Sequence, residues 1–193
     1  MEKIFKQALA LTGLVFGVWL SFTANAQVGE VIWEENFDTF DTTQWNISIG
    51  DGCQFGPAMC GWGNKELEYY HEDNVRIEQV PGEPDNKALV LEAKRQKTCS
   101  RHFTSGKVTT KGKVEVHYGV VEVRMRIPDL ATGLWPAAWL LGINHDEAGW
   151  PKCGEIDMME MGHGKKFRAA HGSGNTTENQ MVGANLIFYS KNA

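Results

Sequence analysis

Three carboxylates lie within six positions of the segment G-E-I-D-M-M-E at residues 154–160. An extended strand turns its side chains to alternate faces at each residue, so Glu155 and Asp157 share a face and Glu160 would fall on the other. One extra residue in the strand, a β-bulge, restores the phase, and the Met158-Met159 pair supplies it. On a helix the two glutamates would lie about 140° apart and would not converge. We therefore expect a bulged strand that gathers three acids on one wall of a cleft.

Two carboxyl groups are what most glycoside hydrolases use, and in retaining enzymes they stand about 5–5.5 Å apart. Glu155 and Glu160 are four strand steps apart once the bulge is discounted, roughly 13 Å along the backbone. Both side chains must then lean inward across Asp157, helped by a concave sheet. Adjacent negative charge raises a carboxyl pKa, which keeps one acid protonated for a leaving group. A solvated strand edge is the alternative interpretation of the same acids.

The segment G-L-W-P-A-A-W-L-L-G at residues 133–142 precedes the acidic motif. On a strand, Trp135, Ala137 and Trp139 share a face, and two indoles separated by a small residue offer a flat surface on which sugar rings pack. A tryptophan-rich core is the alternative. Two indoles beside three acids favour the cleft, and Trp150 and Trp62 are weaker candidates of the same kind.

The amino terminus carries the pattern of a secretory signal peptide. Lys3 and Lys6 precede an apolar run at residues 8–20, and Ala24-Asn25-Ala26 forms a small-x-small cleavage site. The apolar run is short for a membrane span, which needs about 20 residues, although an uncleaved anchor is the alternative. We expect a signal peptide at residues 1–26, followed by one exported domain at residues 27–193 that is not held at a membrane.

The net charge of −5 is spread along the chain, and no basic stripe is present that would follow a phosphate backbone. Nucleic acid is therefore a poor candidate partner, and an uncharged glycan is a better one. The four cysteines allow three pairings in an oxidising compartment. Cys53 and Cys60 flank a turn and are the favoured bridge, whereas Cys153 either stays a thiol or pairs with Cys99. Their spacing does not suggest a zinc site.

Short apolar and alternating segments joined by Gly, Pro and Asn turns predict an all-β fold, an antiparallel β-sandwich, with no convincing helix after the signal peptide. A short strand and a turn are predicted within residues 31–40, and further strands at residues 45–49, 68–71, 75–79, 88–94, 108–110, 114–117, 120–127 and 185–190. An apolar strand directly before the last residue suggests that the C-terminal strands of the domain are missing.

Four segments in order resemble glycoside hydrolase family 16, and within it the laminarinase-type endo-β-1,3-glucanases. The bulged motif of that family, E-[ILV]-D-x-x-E, is matched at residues 155–160. The other segments are G-W-G-N-K-E-L-E-Y-Y at residues 61–70, S-G-K-V-T-T-K-G-K at residues 105–113 and G-L-W-P-A-A-W-L-L-G. The resemblance implies a curved β-jelly roll with a concave glycan cleft and hydrolysis of β-1,3-glucan with retention.

The resemblance also implies roles for individual residues. Glu155 becomes the nucleophile, Glu160 the general acid and then base, and Asp157 the assisting carboxylate. The implied sugar contacts are Trp135, Trp139 and Asn64, together with His171 on a strand following the motif. The chemistry needs no cofactor. The complete family domain often binds a structural calcium, but we assign no metal site here.

Other functions stay open at this point. Agarases and carrageenases share the bulged spacing, and mixed-linkage β-glucan is a further substrate class. A non-catalytic glycan-binding sandwich is possible on the same scaffold, although a lectin has no need of all three acids. A metal-dependent hydrolase using His145, His163 or His171 lacks the H-x-x-x-H spacing that would support it. We expect a secreted, monomeric endo-β-1,3-glucanase.

Overall fold

The computed structural model describes residues 29–189, which include most of the compact unit Val31–Ala193. The predicted cleavage site after Ala26 lies outside these described residues. Within residues 29–189, none of the helices has the length and apolar character needed to cross a bilayer.

The described chain is mostly β, as predicted. Its nine short strands are β1 Asn46–Ile47, β2 Glu68–Tyr70, β3 Val75–Gln79, β4 Lys87–Leu91, β5 Phe103–Ser105, β6 Val108–Thr109, β7 Ala137–Leu141, β8 Glu155–Glu160 and β9 Gly183–Ile187. Two short helices, α1 His145–Ala148 and α2 Lys165–Ala170, contradict the expectation of no helix. The run K-K-F-R-A-A in α2 contains no β-branched residue, which suits a helix better than a strand.

Three predicted strands are absent from the described residues, those at 31–40, 114–117 and 120–127. Residues 120–127 alternate apolar and polar side chains, yet Val120 and Val123 are exposed. An extended segment becomes a strand only when a neighbour accepts and donates its backbone hydrogen bonds. No strand of the described chain pairs with these segments, so they remain irregular.

The strands form four small sheets, ordered β1-β6, β2-β5, β3-β4 and β7-β8-β9. The prediction of antiparallel pairing is wrong for β2 and β5, which pair in parallel. The antiparallel β3-β4 pair lies between them in sequence, and this long connection returns the chain in its original direction, as a parallel pair requires.

The three-stranded sheet contains the predicted bulge. The six residues of β8 pair with the five of β7, because Trp139 lies opposite Asp157 while Ala138 lies opposite Met159. The register with β9 shifts at the same place, between Asp157 and Glu160. Met158 is thus the extra residue in β8, and the bulge inferred from the sequence is confirmed.

The core of the described chain is small and lies next to this bulge. Leu130, Met159 and Met161 are buried, and Ile127 and Leu134 pack against them in part. Ile156, which alternates with the acids along β8, is 46% exposed. The sheet therefore turns Ile156 to the face opposite its acids.

Candidate active site

The bulge brings the three acids to one face of the sheet. Residues that pair directly across antiparallel strands place their side chains on the same face. Glu155, Asp157 and Glu160 lie opposite Leu141, Trp139 and Ala137. Those three β7 residues alternate along a strand and so share a face, which puts the three acids on that face too. Glu155 and Glu160 remain four steps apart along β7.

Burial and mutual repulsion raise the pKa values of two of these acids. Asp157 is 4% exposed, and its pKa is raised by burial and then by the charge of Glu160. The pKa of Glu155 is raised by burial first, then by the charges of Asp157 and Glu160, with the side chain of Trp150 acting in the opposite direction. The side chain of Asp157 raises the pKa of Glu155, and that of Glu155 lowers the pKa of Asp157, which favours a proton on Glu155 over one on Asp157. The cluster is therefore suited to holding a proton.

The two tryptophans of residues 133–142 both reach the acids, in different ways. Trp139 is on β7 opposite Asp157 and is 38% exposed. Trp135 precedes β7 instead of lying on it, and its indole Nε1 donates a hydrogen bond to Glu160 Oε1 at 3.1 Å. Half of Trp135 is exposed. The indoles are thus beside the acids and open to solvent, although they do not alternate on one strand as predicted.

A lysine that the sequence-based assignment missed lies beside these groups. The Nζ of Lys107 is 4.6 Å from the ring centroid of Trp62 and 5.3 Å from those of Tyr70 and Trp139. Burial lowers the pKa of Lys107, while the charges of nearby acids, Glu155 among them, oppose that shift. An ammonium surrounded by aromatic faces is stabilised by their quadrupoles. The only sequence signal for it is a lysine at the edge of the quoted segment S-G-K-V-T-T-K-G-K.

The turn Gly61–Lys65 brings Trp62 to this lysine. The turn is held by the predicted Cys53–Cys60 disulfide, which is confirmed, and by Arg101, which pairs with Asp51 at 2.8 Å. Cys99 and Cys153 are free thiols.

The remaining predicted sugar contacts are more dispersed. Asn64 is exposed in its turn, and within residues 29–189 its side chain makes no hydrogen bond to the acids. Trp150 is 58% exposed, and its side chain lowers the pKa of Glu155.

His171 was predicted to lie on a strand. It instead caps the C-terminal end of α2. There it stacks on Phe167 with ring centroids 4.1 Å apart. The histidine linked to the acids is instead His163, whose ring meets Trp135, the partner of Glu160, edge to face at 4.6 Å. Sequence position after the acidic motif could not show which of His163 and His171 contacts the site, because the helix α2 between them was not predicted.

Oxygen-bearing side chains also surround a surface cavity of about 480 Å³. Asn36, Asp38, Glu83 and Asp85 are among those that line it. Glu83 is already paired with Arg124 at 2.6 Å. Within residues 29–189, no three His, Cys, Asp or Glu residues are grouped to hold a metal ion.

Comparison with known proteins agrees with this geometry. Residues 62–186 match the profile of Glycosyl hydrolases family 16. The Beta-glucanase of Rhodothermus marinus is 35% identical over 136 residues, 68% of this chain and 43% of that protein. The Beta-1,3-glucan-binding protein of Penaeus monodon is 40% identical over 165 residues, 67% of this chain and 43% of that protein.

A solved structure extends the likeness to the backbone. The laminarinase catalytic domain from Thermotoga maritima MSB8 superimposes with a TM-score of 0.62 at 40% identity, covering 72% of this chain and 54% of that one. The chain thus spans about half the length of this structure and less than half of the two curated relatives.

Proposed function

Because the chain belongs to glycosyl hydrolase family 16, we propose that it hydrolyses internal β-1,3-glucosidic bonds of laminarin-type β-glucans with retention of configuration. The observation that carries the proposal is the shared face of Glu155, Asp157 and Glu160 across the bulge. The names of its relatives support the substrate class, since several of them act on or bind β-1,3-glucan.

The proposed reaction has two displacements. The Glu155 carboxylate attacks the anomeric carbon while Glu160 gives its proton to the departing glycosidic oxygen, which leaves a glycosyl ester on Glu155. Glu160 then removes a proton from water, and the water oxygen displaces Glu155. Asp157 assists by keeping negative charge close to both glutamates. No cofactor takes part in this chemistry.

Sugar binding is proposed to involve the aromatic groups beside the acids. Trp139 offers an exposed indole face opposite Asp157, and Trp135 offers another beside Glu160. Trp150 borders Glu155. Asn64 and His171 are proposed as outlying contacts, further from the point of cleavage.

The experiment that tests the proposal is product analysis of the purified protein on laminarin, lichenan, agarose and carrageenan. We expect reducing sugar from laminarin, with oligosaccharides of mixed length and β-configured initial products by proton NMR. Glu155→Gln should bind laminarin without cleaving it. Release from agarose or carrageenan alone would assign the protein to another polysaccharide.

A non-catalytic β-1,3-glucan-binding protein is the second candidate, favoured by the 40% identity to the Penaeus monodon protein. Binding of laminarin without any release of reducing sugar would identify this function. The three acids on one face favour hydrolysis, because a binding protein gains nothing from carboxyls whose charges repel one another.

We also propose the surroundings in which this function operates. Residues 27–193 are proposed to form one monomeric domain with the curved jelly roll and concave cleft of its relatives, supported by the TM-score of 0.62. Export is proposed from the signal-peptide pattern of residues 1–26. Mass determination of the protein collected outside the cell would test the cleavage site, and light scattering would test the oligomeric state.

A further inference from the structure

His163 holds a buried polar atom without a partner. Its side chain is among the most buried polar groups of the described chain, at 5% exposure. Within residues 29–189, its Nε2 is the one buried side-chain nitrogen or oxygen that makes no hydrogen bond. A buried polar atom without a partner is destabilising, so a residue that persists in this state has a role other than stability.

The ring of His163 is enclosed on several sides. Phe167 stacks on it with centroids 4.5 Å apart and planes 13° apart. Trp135 meets it edge to face, with centroids 4.6 Å apart and planes at 85°. A methyl group added to Gly183 would come within 2.5 Å of Nε2, which shows how closely β9 approaches this nitrogen.

The backbone of His163 is fixed as firmly as its ring. The guanidinium of Arg168, itself 4% exposed, donates a hydrogen bond to the carbonyl oxygen of His163. The same guanidinium is held by Glu178 at 2.9 Å and by the carbonyl of Thr176 at 3.1 Å. The imidazole therefore presents a rigid surface to Trp135.

Trp135 connects the fixed imidazole of His163 to the acid cluster. Its indole Nε1 donates to Glu160 Oε1 at 3.1 Å, while its ring lies against His163. We propose that His163 is a positioning residue: it fixes the indole of Trp135 so that the indole N–H holds Glu160 in the orientation needed for proton transfer. This inference rests on the proposed function, in which Glu160 is the general acid and base.

A substrate whose leaving group needs no proton can distinguish this positioning role of His163 from general support of the fold. Cleavage of laminarin needs a proton from Glu160 to the departing sugar oxygen, whereas dinitrophenolate departs from an aryl β-glucoside without one. Azide then attacks the anomeric carbon of the glycosyl ester without a base. The bond to the Glu155 oxygen breaks, a carbon–nitrogen bond forms, and a β-glycosyl azide leaves.

The test compares wild type, His163→Ala, Trp135→Phe and the double variant. We expect His163→Ala to lower kcat on laminarin about 10- to 100-fold, with KM changed much less. The rate on a dinitrophenyl β-laminaribioside with azide should remain that of wild type. In the Trp135→Phe background, which lacks the indole N–H, His163→Ala should cause no further loss. His102→Ala, which removes an exposed imidazole, is the control and should behave as wild type.

Two results would overturn the inference. Equal losses on laminarin and on the dinitrophenyl substrate would show that His163 supports the whole fold, and multiplicative losses in the double variant would show that it does not act through Trp135. An independent readout is the solvent exchange of the Trp135 indole N–H by NMR, which should be faster in His163→Ala. A wild-type protein inactive on laminarin would refute the proposed function, while the exchange rate would still decide whether His163 fixes Trp135.

Discussion

Glu155→Gln is expected to stabilise the protein at neutral pH while it abolishes turnover. Burial and the charges of Asp157 and Glu160 raise the pKa of Glu155. An acid whose pKa is raised by folding destabilises the folded state when it is ionised. This destabilisation is fully present above the raised pKa and disappears below the pKa of the unfolded chain, about 4.3 for glutamate. Glutamine removes it, so the gain in stability belongs to neutral pH alone.

The size of the gain in stability follows from the spacing of the acids along β8. Glu155 and Asp157 are two residues apart on β8, about 6.6 Å, and two charges at that distance repel by about 2.5 kcal/mol at an effective dielectric constant of about 20. Glu155 is only half-buried, so solvent screening reduces this to about 1 kcal/mol. For a chain of this size, 1 kcal/mol corresponds to a rise in Tm of about 2–4 °C.

Thermal unfolding of wild type and Glu155→Gln at pH 7 and near pH 3.5 measures this difference. We expect the variant to melt higher at pH 7 and at the same temperature as wild type at about pH 3.5. Glu122→Gln, an exposed site, should change neither Tm. An equal gain at both pH values, or a loss at pH 7, would refute the argument from charge repulsion. Cleavage of laminarin by Glu155→Gln would refute its assignment as nucleophile.

Two further substitutions and a pair of deletions test other parts of the site. Glu160→Gln should slow laminarin cleavage about 10²- to 10⁴-fold and spare aryl glucosides with acidic leaving groups; equal loss on both would contradict its role as the acid. Deleting Met158 leaves E-I-D-M-E, which alternates without a bulge and keeps every acid on one face. That deletion should retain measurable cleavage of laminarin, whereas deleting Met159 as well should remove it, and the opposite order would contradict the register. Lys107→Met should weaken laminarin binding by calorimetry, because it removes an ammonium beside Trp139 and Glu155; unchanged affinity would place Lys107 outside the cleft.

The shared face of the three acids could be predicted from the sequence because it depends only on how side chains alternate along one strand. Alternation along a strand and one surplus residue are sufficient to place Glu155, Asp157 and Glu160 together. The Cys53–Cys60 bridge is local in the same sense, since seven positions and a turn separate its two thiols.

Features that depend on distant contacts could not be predicted in this way. Lys107 meets Trp62 and Trp139 only after three separate segments have come together. The alternating pattern at residues 120–127 predicts a strand, but whether a strand forms depends on a neighbour that the pattern does not specify. The placement of His171 failed because α2 displaces it from the strand on which the motif would have continued.

The aromatic enclosure of Lys107 has a consequence for how the protein acquires its proposed activity. Trp62 and Tyr70 come from one part of the chain and Trp139 from another, so this surface has no precursor in any short peptide. It forms only when contacts between remote segments are complete, which are the slowest to form during folding. A glucan should therefore bind only to molecules that have finished folding. Its presence should protect these molecules from unfolding, and the protection should rise with glucan concentration.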